Sequence, residues 1–469
     1  MAVGGTHNSR LLIDAVALER RVAMIENDRL TRLWIDRGGP ARFDIHLGRV
    51  SKMMPEMAAA MVALDGLPDG LLPFDRYNGP LHEGQWVLVQ ISRLGFDDKG
   101  VKLTGRIAIE GVGMILRPGA NHIELPRKLK DGDRRTELHD LLSSLQAGQD
   151  GIMLRSVALD WTRDAITAEY KLLKSQLQKA EKALSEASKP QLVSKAQSET
   201  DQVIERHLMA GGACVVDGTN EFVRLRGLLT MLGKSDDNLA RHVGSRLLFN
   251  DQDIEDEIAA ALATRVELQG GAWIAIDPAT ALCAIDVNGA GADAGRDSET
   301  RAVEVNLRAA AEIVHQIRLR NIGGLVVIDP LRMKSRAGRD KFDAAIRDAF
   351  GSELDGAVQI GGFTRLGLYE FSRQRAGESL RATLFAKQER AHLLRDAALN
   401  AVVRAVVAES RNGVTGMVKL CVNPGVAKAL ADQADAIQIL TNAFGGTPQI
   451  VADPILEDDA YRLEKNHHE

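Results

Sequence analysis

The sequence predicts a multidomain α/β protein: a small β-barrel near the N-terminus, a more helical region, a larger α/β region and a small α+β tail. Three observations carry this. The 469 residues allow about three domains of ordinary size. Short alternating apolar runs separated by Gly, Pro and Asp turns crowd the stretch before Ile109. From Ala272 onward, strand patterns alternate with amphipathic helical ones. At 45% hydrophobic and 26% charged, the composition supplies ample core and excludes a disordered or membrane class. Met1 to Arg10 lacks a basic stretch leading into an apolar core, so the cytoplasm is the expected compartment and no membrane partner is expected.

Taken in order, Val22 to Ile35 alternates as two short strands around Glu26-Asn27-Asp28. From Phe43 to Ile109 some five short strands suggest a small barrel, with an OB fold the commonest candidate. A β-module of another kind fits the strand pattern as well. Gly111 to Arg206 holds a basic loop (Arg127-Lys-Leu-Lys), a helix from Asp133, a strand at Ile152 and a long helix over Asp160 to Ala187. In that helix Leu172, Leu173, Leu177 and Leu184 recur at helical spacing, with a solvated charged face opposite. Ala272 to Asp277 and Ala281 to Val287 read as a hairpin around Pro278-Ala-Thr. A helix marked by Val303, Leu307, Ala310, Val314 and Ile317 follows, and Leu325-Val-Val-Ile then reads as a buried strand ending in Asp329. The tail has an Ala- and Val-rich helix over Gln388 to Ser410, apolar runs at Val418, Ala436 and Gln449, and a helix after Pro424.

Asp286 and Asp329 close neighbouring strands of one predicted sheet, where ligands of open α/β sheets collect, and Asn288 lies on the same strand face as Asp286. Mg²⁺ takes one or two carboxylates and completes its shell with water and phosphate oxygens, which this set fits. Strand-end aspartates also serve as plain turn and cap residues. Charge adds a second clue. Arg318 to Asp340 holds six basic residues (Arg318, Arg320, Arg332, Lys334, Arg336, Arg339) against two acids, a net +4 in a chain of net −5. Arg365, Arg373, Arg375 and Arg381 outweigh Glu370 and Glu378 further on. Carboxylates for a metal and guanidinium groups for a polyanion are what phosphodiester chemistry needs. A basic surface patch without chemistry is the alternative. Whole-surface polyanion binding is excluded by the acidic balance, and only 4% aromatics makes any base-stacking platform sparse. Gly289-Ala-Gly-Ala-Asp-Ala-Gly295 fails as a dinucleotide loop, because its third glycine falls one place late. Cys214, Cys283 and Cys421, far apart and odd in number, predict small buried side chains and neither a disulfide framework nor a Cys-x-x-Cys site.

Three longer segments carry a resemblance. Ala284-Ile-Asp-Val-Asn-Gly, the run from Val305-Asn-Leu-Arg to Val327-Ile-Asp329, and Phe363-Thr-Arg-Leu-Gly-Leu-Tyr-Glu-Phe-Ser-Arg-Gln-Arg375 resemble, in order, signature segments of the ribonuclease E/G family of bacterial endoribonucleases. The resemblance implies an OB-fold RNA-binding domain (35–110) inserted in an RNase H-like subdomain (1–34 and 201–262). It implies a 5′-phosphate sensor region (111–200), a DNase I-like catalytic subdomain (263–383) and a small C-terminal domain (384–469). Carried over by position, Asp286 and Asp329 would hold Mg²⁺ and Asn288 would help place the scissile phosphate. Arg155 and Ser156 would contact a 5′-monophosphate, and Lys99, Arg365 and Arg373 would bind RNA. The implied activity is Mg²⁺-dependent cleavage of single-stranded RNA by metal-activated water.

The sequence also departs from that pattern. Ala376-Gly-Glu-Ser has no cysteine where the family carries a zinc link, so no structural zinc is expected, and any homodimer would not be joined by zinc. Arg332 replaces a second acid after Asp329, and Ser156 replaces a threonine but keeps its hydroxyl. Met61 and Leu71 stand where the family's barrel carries aromatics, which forfeits stacking worth about 1–3 kcal/mol per base. The alternative function is therefore a non-catalytic RNA-binding factor on the same scaffold, acting for example in ribosomal RNA maturation.

Overall fold

A computed structural model describes residues 9–95, 100–130, 132–146, 150–289, 298–351, 353, 356–374, 377–385 and 395–465. They fall into two units: one of Met1–Ile35, Gly212–Arg224 and Asn238–Glu469, the other of Asp36–Gly211 and Leu225–Asp237. The chain begins in the first unit with β1 (Ser9–Asp14), β2 (Arg20–Glu26) and β3 (Arg29–Asp36). Asn27 and Asp28 both adopt positive φ (52° and 59°), so β2 and β3 are joined by the tight turn that suits two right-twisted strands.

The second unit opens with β4 (Ile45–Met54), β5 (Ala59–Leu64), β6 (Leu67–Pro73), β7 (Trp86–Arg93) and β8 (Lys102–Thr104). They pair in the order β4-β5-β6-β8-β7 and close through β4–β7, a five-stranded barrel of OB type. Val62, Leu72, Val87, Val89, Ile91 and Leu103 fill it. A Cβ on Gly70 would lie 2.6 Å from the Leu103 side chain, so this corner of the barrel requires glycine. The unit continues through β9 (Ile109–Glu110), β10 (Met114–Arg117), β11 (Ile123–Glu124), α1 (Asp133–Leu145), β12 (Gly151–Leu154), α2 (Arg163–Ser185), β13 (Gln191–Ser194) and α3 (Glu199–Met209). The buried stripe of α2 is Ile166, Tyr170, Leu173, Leu177 and Ala180. Leu172 and Leu184, expected on that stripe, are 57% and 37% exposed. The buried arc follows whatever the sheet of β9–β12 presents, and it runs through Tyr170 rather than Leu172.

Back in the first unit come β14 (Ala213–Asp217), the start of α4 (Thr219–Met231), whose residues from Leu225 belong to the second unit, then β15 (Leu239–Arg241), α5 (Leu248–Asp251) and α6 (Ile254–Leu262). β14 and β15 run parallel to β1 and complete a sheet of order β15-β14-β1-β2-β3. Then follow β16 (Arg265–Glu267), β17 (Trp273–Pro278), β18 (Leu282–Asn288), α7 (Ser298–Leu319), β19 (Gly324–Asp329), α8 (Arg336–Phe350), β20 (Val358–Phe363), β21 (Tyr369–Arg373) and α9 (Leu380–Leu384). Their sheet has the order β16-β17-β18-β19-β21-β20. Its Ile274, Ile276, Ile285, Val287, Val326 and Ile328 form one core with Ala309, Ile313, Ile317, Phe342 and Ile346 of α7 and α8. The strand residues between them, Ala275, Ala284, Asp286, Val327 and Asp329, point to the other face.

The chain closes with α10 (Arg395–Arg411), β22 (Val418–Val422), α11 (Pro424–Asp432), α12 (Ala434–Phe444), β23 (Gln449–Ala452) and β24 (Tyr461–Lys465). Ala436 to Leu440 is thus helical. Cys214, Cys283 and Cys421 are all buried free thiols, as expected, and burial pushes Cys214 up to about 12 and Cys283 up to about 11. Among the described residues no helix is long and apolar enough to cross a membrane.

Candidate active site

β18 and β19 run parallel, and their register makes Asp286 and Asp329 direct Cα partners at the carboxyl ends of both strands. Neighbouring strands lie about 4.8 Å apart, so the two carboxylates share one patch of the helix-free face. Both residues are exposed. Asn288 Nδ2 donates to Asp286 Oδ2 at 2.7 Å, which fixes one carboxylate oxygen and leaves the other open. Two open carboxylates on one sheet edge match what a hard divalent cation takes from protein. No described group of three His, Cys, Asp or Glu side chains does so.

A second pair has the same backbone geometry and a different fate. Asp14 and Asp217 are register partners at the ends of β1 and β14. Both are 2% exposed. Arg21 Nε donates to Asp14 at 3.0 Å, and Arg411 donates to both oxygens of Asp217 at 2.7 and 3.0 Å. Those carboxylates are spent on buried ion pairs. Asp286 and Asp329 meet no cation among the described residues, which makes theirs the candidate metal centre.

The loop after β19 is held from α7. Asn306, fully buried, donates to the Leu331 carbonyl at 2.8 Å and accepts from the Leu331 N–H at 2.9 Å. Glu299 accepts from the N–H groups of Lys334 and Ser335, at 2.8 and 2.9 Å, and from the Ser335 hydroxyl at 2.8 Å. The Ser335 and Lys334 N–H groups and that hydroxyl hold its carboxyl down to about 2. Leu331 Cδ1 would lie 3.1 Å from a Cβ on Gly289, so the residue clamped by Asn306 also abuts the chain just after Asn288. Glu299 has no local sequence signal that marks it, and Asn306 lies inside the Val305-Asn-Leu-Arg segment that carries the resemblance, where its sequence does not reveal this clamp. Trp273 was also missed: it pairs with Asn288 across β17–β18, which puts an aromatic ring beside the site, with Arg265 stacked 4.5 Å from its centroid.

The fold splits the basic run. Arg332, Lys334 and Arg336 are exposed on the loop after Asp329 and the first turn of α8, and among the described residues Arg332 and Lys334 form no ion pair. Arg365 is exposed at the β20–β21 turn, beyond the Ile328–Tyr369 pairing and so at the carboxylate end of the sheet. Arg318, Arg320 and Arg373 do not join them. Arg318 binds Glu353 at 2.7 Å, and Arg320 is 7% exposed against Gln316. Arg373, expected to bind RNA, pairs with Gly324 at the opposite end of β19. It is 9% exposed, with its guanidinium on Glu353, Asn321 and the Ile322 carbonyl. In the fold Arg373 is a buried strut, because sheet register rather than local charge decides which end it occupies.

In the second unit Arg155 is half-buried and pairs with Glu110 at 2.8 Å, and Ser156 is exposed next to it. Met61 and Leu71 are direct cross-strand partners on the outer wall of the barrel, since their neighbours Val62 and Leu72 point inward. Lys99 and most of the Gly289–Gly295 loop lie outside the described residues.

The fold and site define a multidomain α/β protein with an OB-type barrel and a carboxylate pair at the edge of a second sheet. The chain belongs to the Ribonuclease E/G family, whose model matches residues 108–376. It is 30% identical over 395 residues to Ribonuclease E of Escherichia coli (strain K12), covering 79% of this chain and 37% of that protein. To Ribonuclease E of Synechocystis sp. it is 28% identical, covering 76% and 56%, and to Ribonuclease G of Salmonella typhimurium 24% identical, covering 80% and 82%. The chain thus spans about two fifths of the length of the Ribonuclease E relatives from E. coli, Haemophilus and Buchnera.

Proposed function

We propose that this protein is a Mg²⁺-dependent endoribonuclease that cleaves single-stranded RNA in RNA processing or decay, in the cytoplasm. The observation that carries the reading is the Asp286–Asp329 register pair, open and unneutralised, in a chain of the Ribonuclease E/G family. Asp286 and Asp329 would hold the metal, which when bound supplies the positive charge that activates water and offsets charge developing on the phosphate. Asn288 orients Asp286 and keeps a second N–H to aim at a phosphate oxygen. Arg332, Lys334 and Arg365 bind the backbone on either side. The order β15-β14-β1-β2-β3 supports an RNase H-like subdomain, residues 263–383 a DNase I-like one, and 384–469 a small C-terminal domain. Arg155 and Ser156 serve a 5′-monophosphate, and Lys99 touches RNA from the barrel. Any homodimer forms without a zinc link.

Met61 and Leu71 side by side on the barrel favour a second reading, a non-catalytic RNA-binding factor, because they remove the stacking surface. One assay separates the two. Matched 5′-monophosphate and 5′-triphosphate RNAs are incubated with Mg²⁺ and either wild type or Asp286→Asn. The nuclease reading expects cleavage by wild type alone, faster on the monophosphate. Equal decay with the variant, or none with either protein, rejects it.

A further inference from the structure

A groove of about 370 Å³ on the outer wall of the barrel is lined by Arg42, Phe43, Arg76, Lys102, Thr104 and Arg106, and by no acid. It lies along β7 and β8 and adjoins, at the Lys102–Leu71 register pair, the β5–β6 face by which such barrels conventionally take single strands. Its floor is knit rigidly. Gln90 Nε2 donates to the Phe43 and Ala108 carbonyls at 2.9 and 2.7 Å, while its Oε1 accepts from the Ala108 N–H at 3.0 Å. The Ser92 and Thr104 hydroxyls are spent on the Lys102 and Arg76 carbonyls. Polar groups that could read a particular base are therefore occupied, and what remains on offer is positive charge and one ring.

The charge is largely uncommitted. Arg42 and Lys102 meet no acid among the described residues, and Arg76 is 3.5 Å from an Asp75 carboxylate that is itself 75% exposed. Arg106 is fixed by donating to the Asp75 carbonyl at 2.9 Å. The ring is held at a cost. Phe43 sits at φ 77°, a left-handed conformation that is an outlier for a bulky residue. Such strain persists only where the surroundings impose it, and it clusters at ligand sites. Here it sets the Phe43 ring against the Arg42 guanidinium, 4.4 Å from the ring centroid. Arg–aromatic walls of this kind accept any base face, and cations beside them accept the phosphate.

We propose that this groove is a nucleotide subsite for single-stranded RNA, with a base on the Phe43–Arg42 wall and phosphates on Lys102, Arg76 and Arg106. It rests on the reading of the chain as RNA-binding and is independent of cleavage. The test uses the full chain in EDTA, where no cutting occurs, and follows the anisotropy of a fluorescein-labelled oligouridylate of about ten nucleotides. Salt is varied from about 50 to 200 mM. Arg76→Ala with Lys102→Ala is expected to flatten the log–log salt slope by about 1.4, at 0.7 per lost contact. Phe43→Gly is expected to weaken binding about tenfold without lowering the melting temperature, since glycine relieves the strain. If Phe43→Gly fails to fold, Phe43→Asn, which also tolerates this φ, takes its place. Lys171→Ala with Lys179→Ala, on the solvated face of α2, removes equal charge and should leave the slope unchanged.

The proposal is overturned if the groove variants behave like that control, or if Phe43→Gly binds as wild type does. It is overturned equally if free uridine monophosphate displaces the strand at the same phosphate concentration, which would make this a mononucleotide site. A chain that binds here and never cuts sinks the nuclease reading alone. One that cuts and ignores these substitutions sinks the subsite alone.

Discussion

Replacing Asn306 by leucine removes the two hydrogen bonds that tie α7 to the Leu331 backbone and keeps the side-chain volume roughly constant. The Leu331 N–H and carbonyl then lose their partners. Each such group costs about 1–3 kcal/mol if fully buried. Leu331 is only half-buried and water reaches part of it, so the low end applies and the total is about 2 kcal/mol. Urea unfolding should show that loss with an unchanged slope. The functional effect should be larger than the structural one. Leu331 lies two residues beyond Asp329 and against Gly289, so a loosened loop shifts both carboxylates, and misplacement by about 1 Å costs about a hundredfold. Under the proposed function Lys334, anchored through Glu299, and Arg365, on the β20–β21 turn, would still hold RNA, so kcat should fall by more than KM rises. Asn306→Asp, which keeps the acceptor for the Leu331 N–H, should recover part of kcat. A folded Asn306→Leu protein with wild-type kcat, or one whose loss lies wholly in KM, would refute Asn306 as a positioning residue.

Glu110→Gln removes the carboxylate that competes for Arg155, so the preference for 5′-monophosphate RNA should rise a few-fold, in line with about 0.5–1 kcal/mol for a part-exposed pair. A lower preference would mean that Glu110 aims Arg155 at the phosphate. Met61→Phe with Leu71→Phe should tighten single-stranded RNA binding by about 1–3 kcal/mol per base gained, read by anisotropy at fixed salt. Unchanged affinity would show that RNA does not cross that face. His46, 3% exposed with neither ring nitrogen hydrogen-bonded, is held below its ordinary 6.5 by burial, opposed by nearby Asp44. Below pH 6.5 the unfolded chain takes a proton that the folded barrel resists, so stability is lost as pH falls through that window. His46→Leu should therefore raise the melting temperature more at pH 5 than at pH 8. An equal effect at both would remove His46 as the cause.

Local pattern decided much of this molecule. Alternation marked β2, β3 and the barrel strands, because period two is written residue by residue and one face of each strand must be buried, while a hairpin signal marked β18 and a short continuous apolar run marked β19. The strand-end positions of Asp286 and Asp329 followed from those two signals, and Met61 and Leu71 were legible as missing rings. What needed tertiary structure was always a question of who stands opposite. Asp14 and Asp217 share the backbone geometry of Asp286 and Asp329, yet Arg411 reaches Asp217 from 194 residues away in sequence. Arg373 and Arg365 are eight residues apart in one basic segment, and β21 carries one to the buried end of the sheet and the other to the open end. The clamp of Asn306 on Leu331 and the strained Phe43 ring over its groove arise in the same way. Periodicity is local, whereas neutralisation, burial and strain are set by neighbours that only the folded chain brings together.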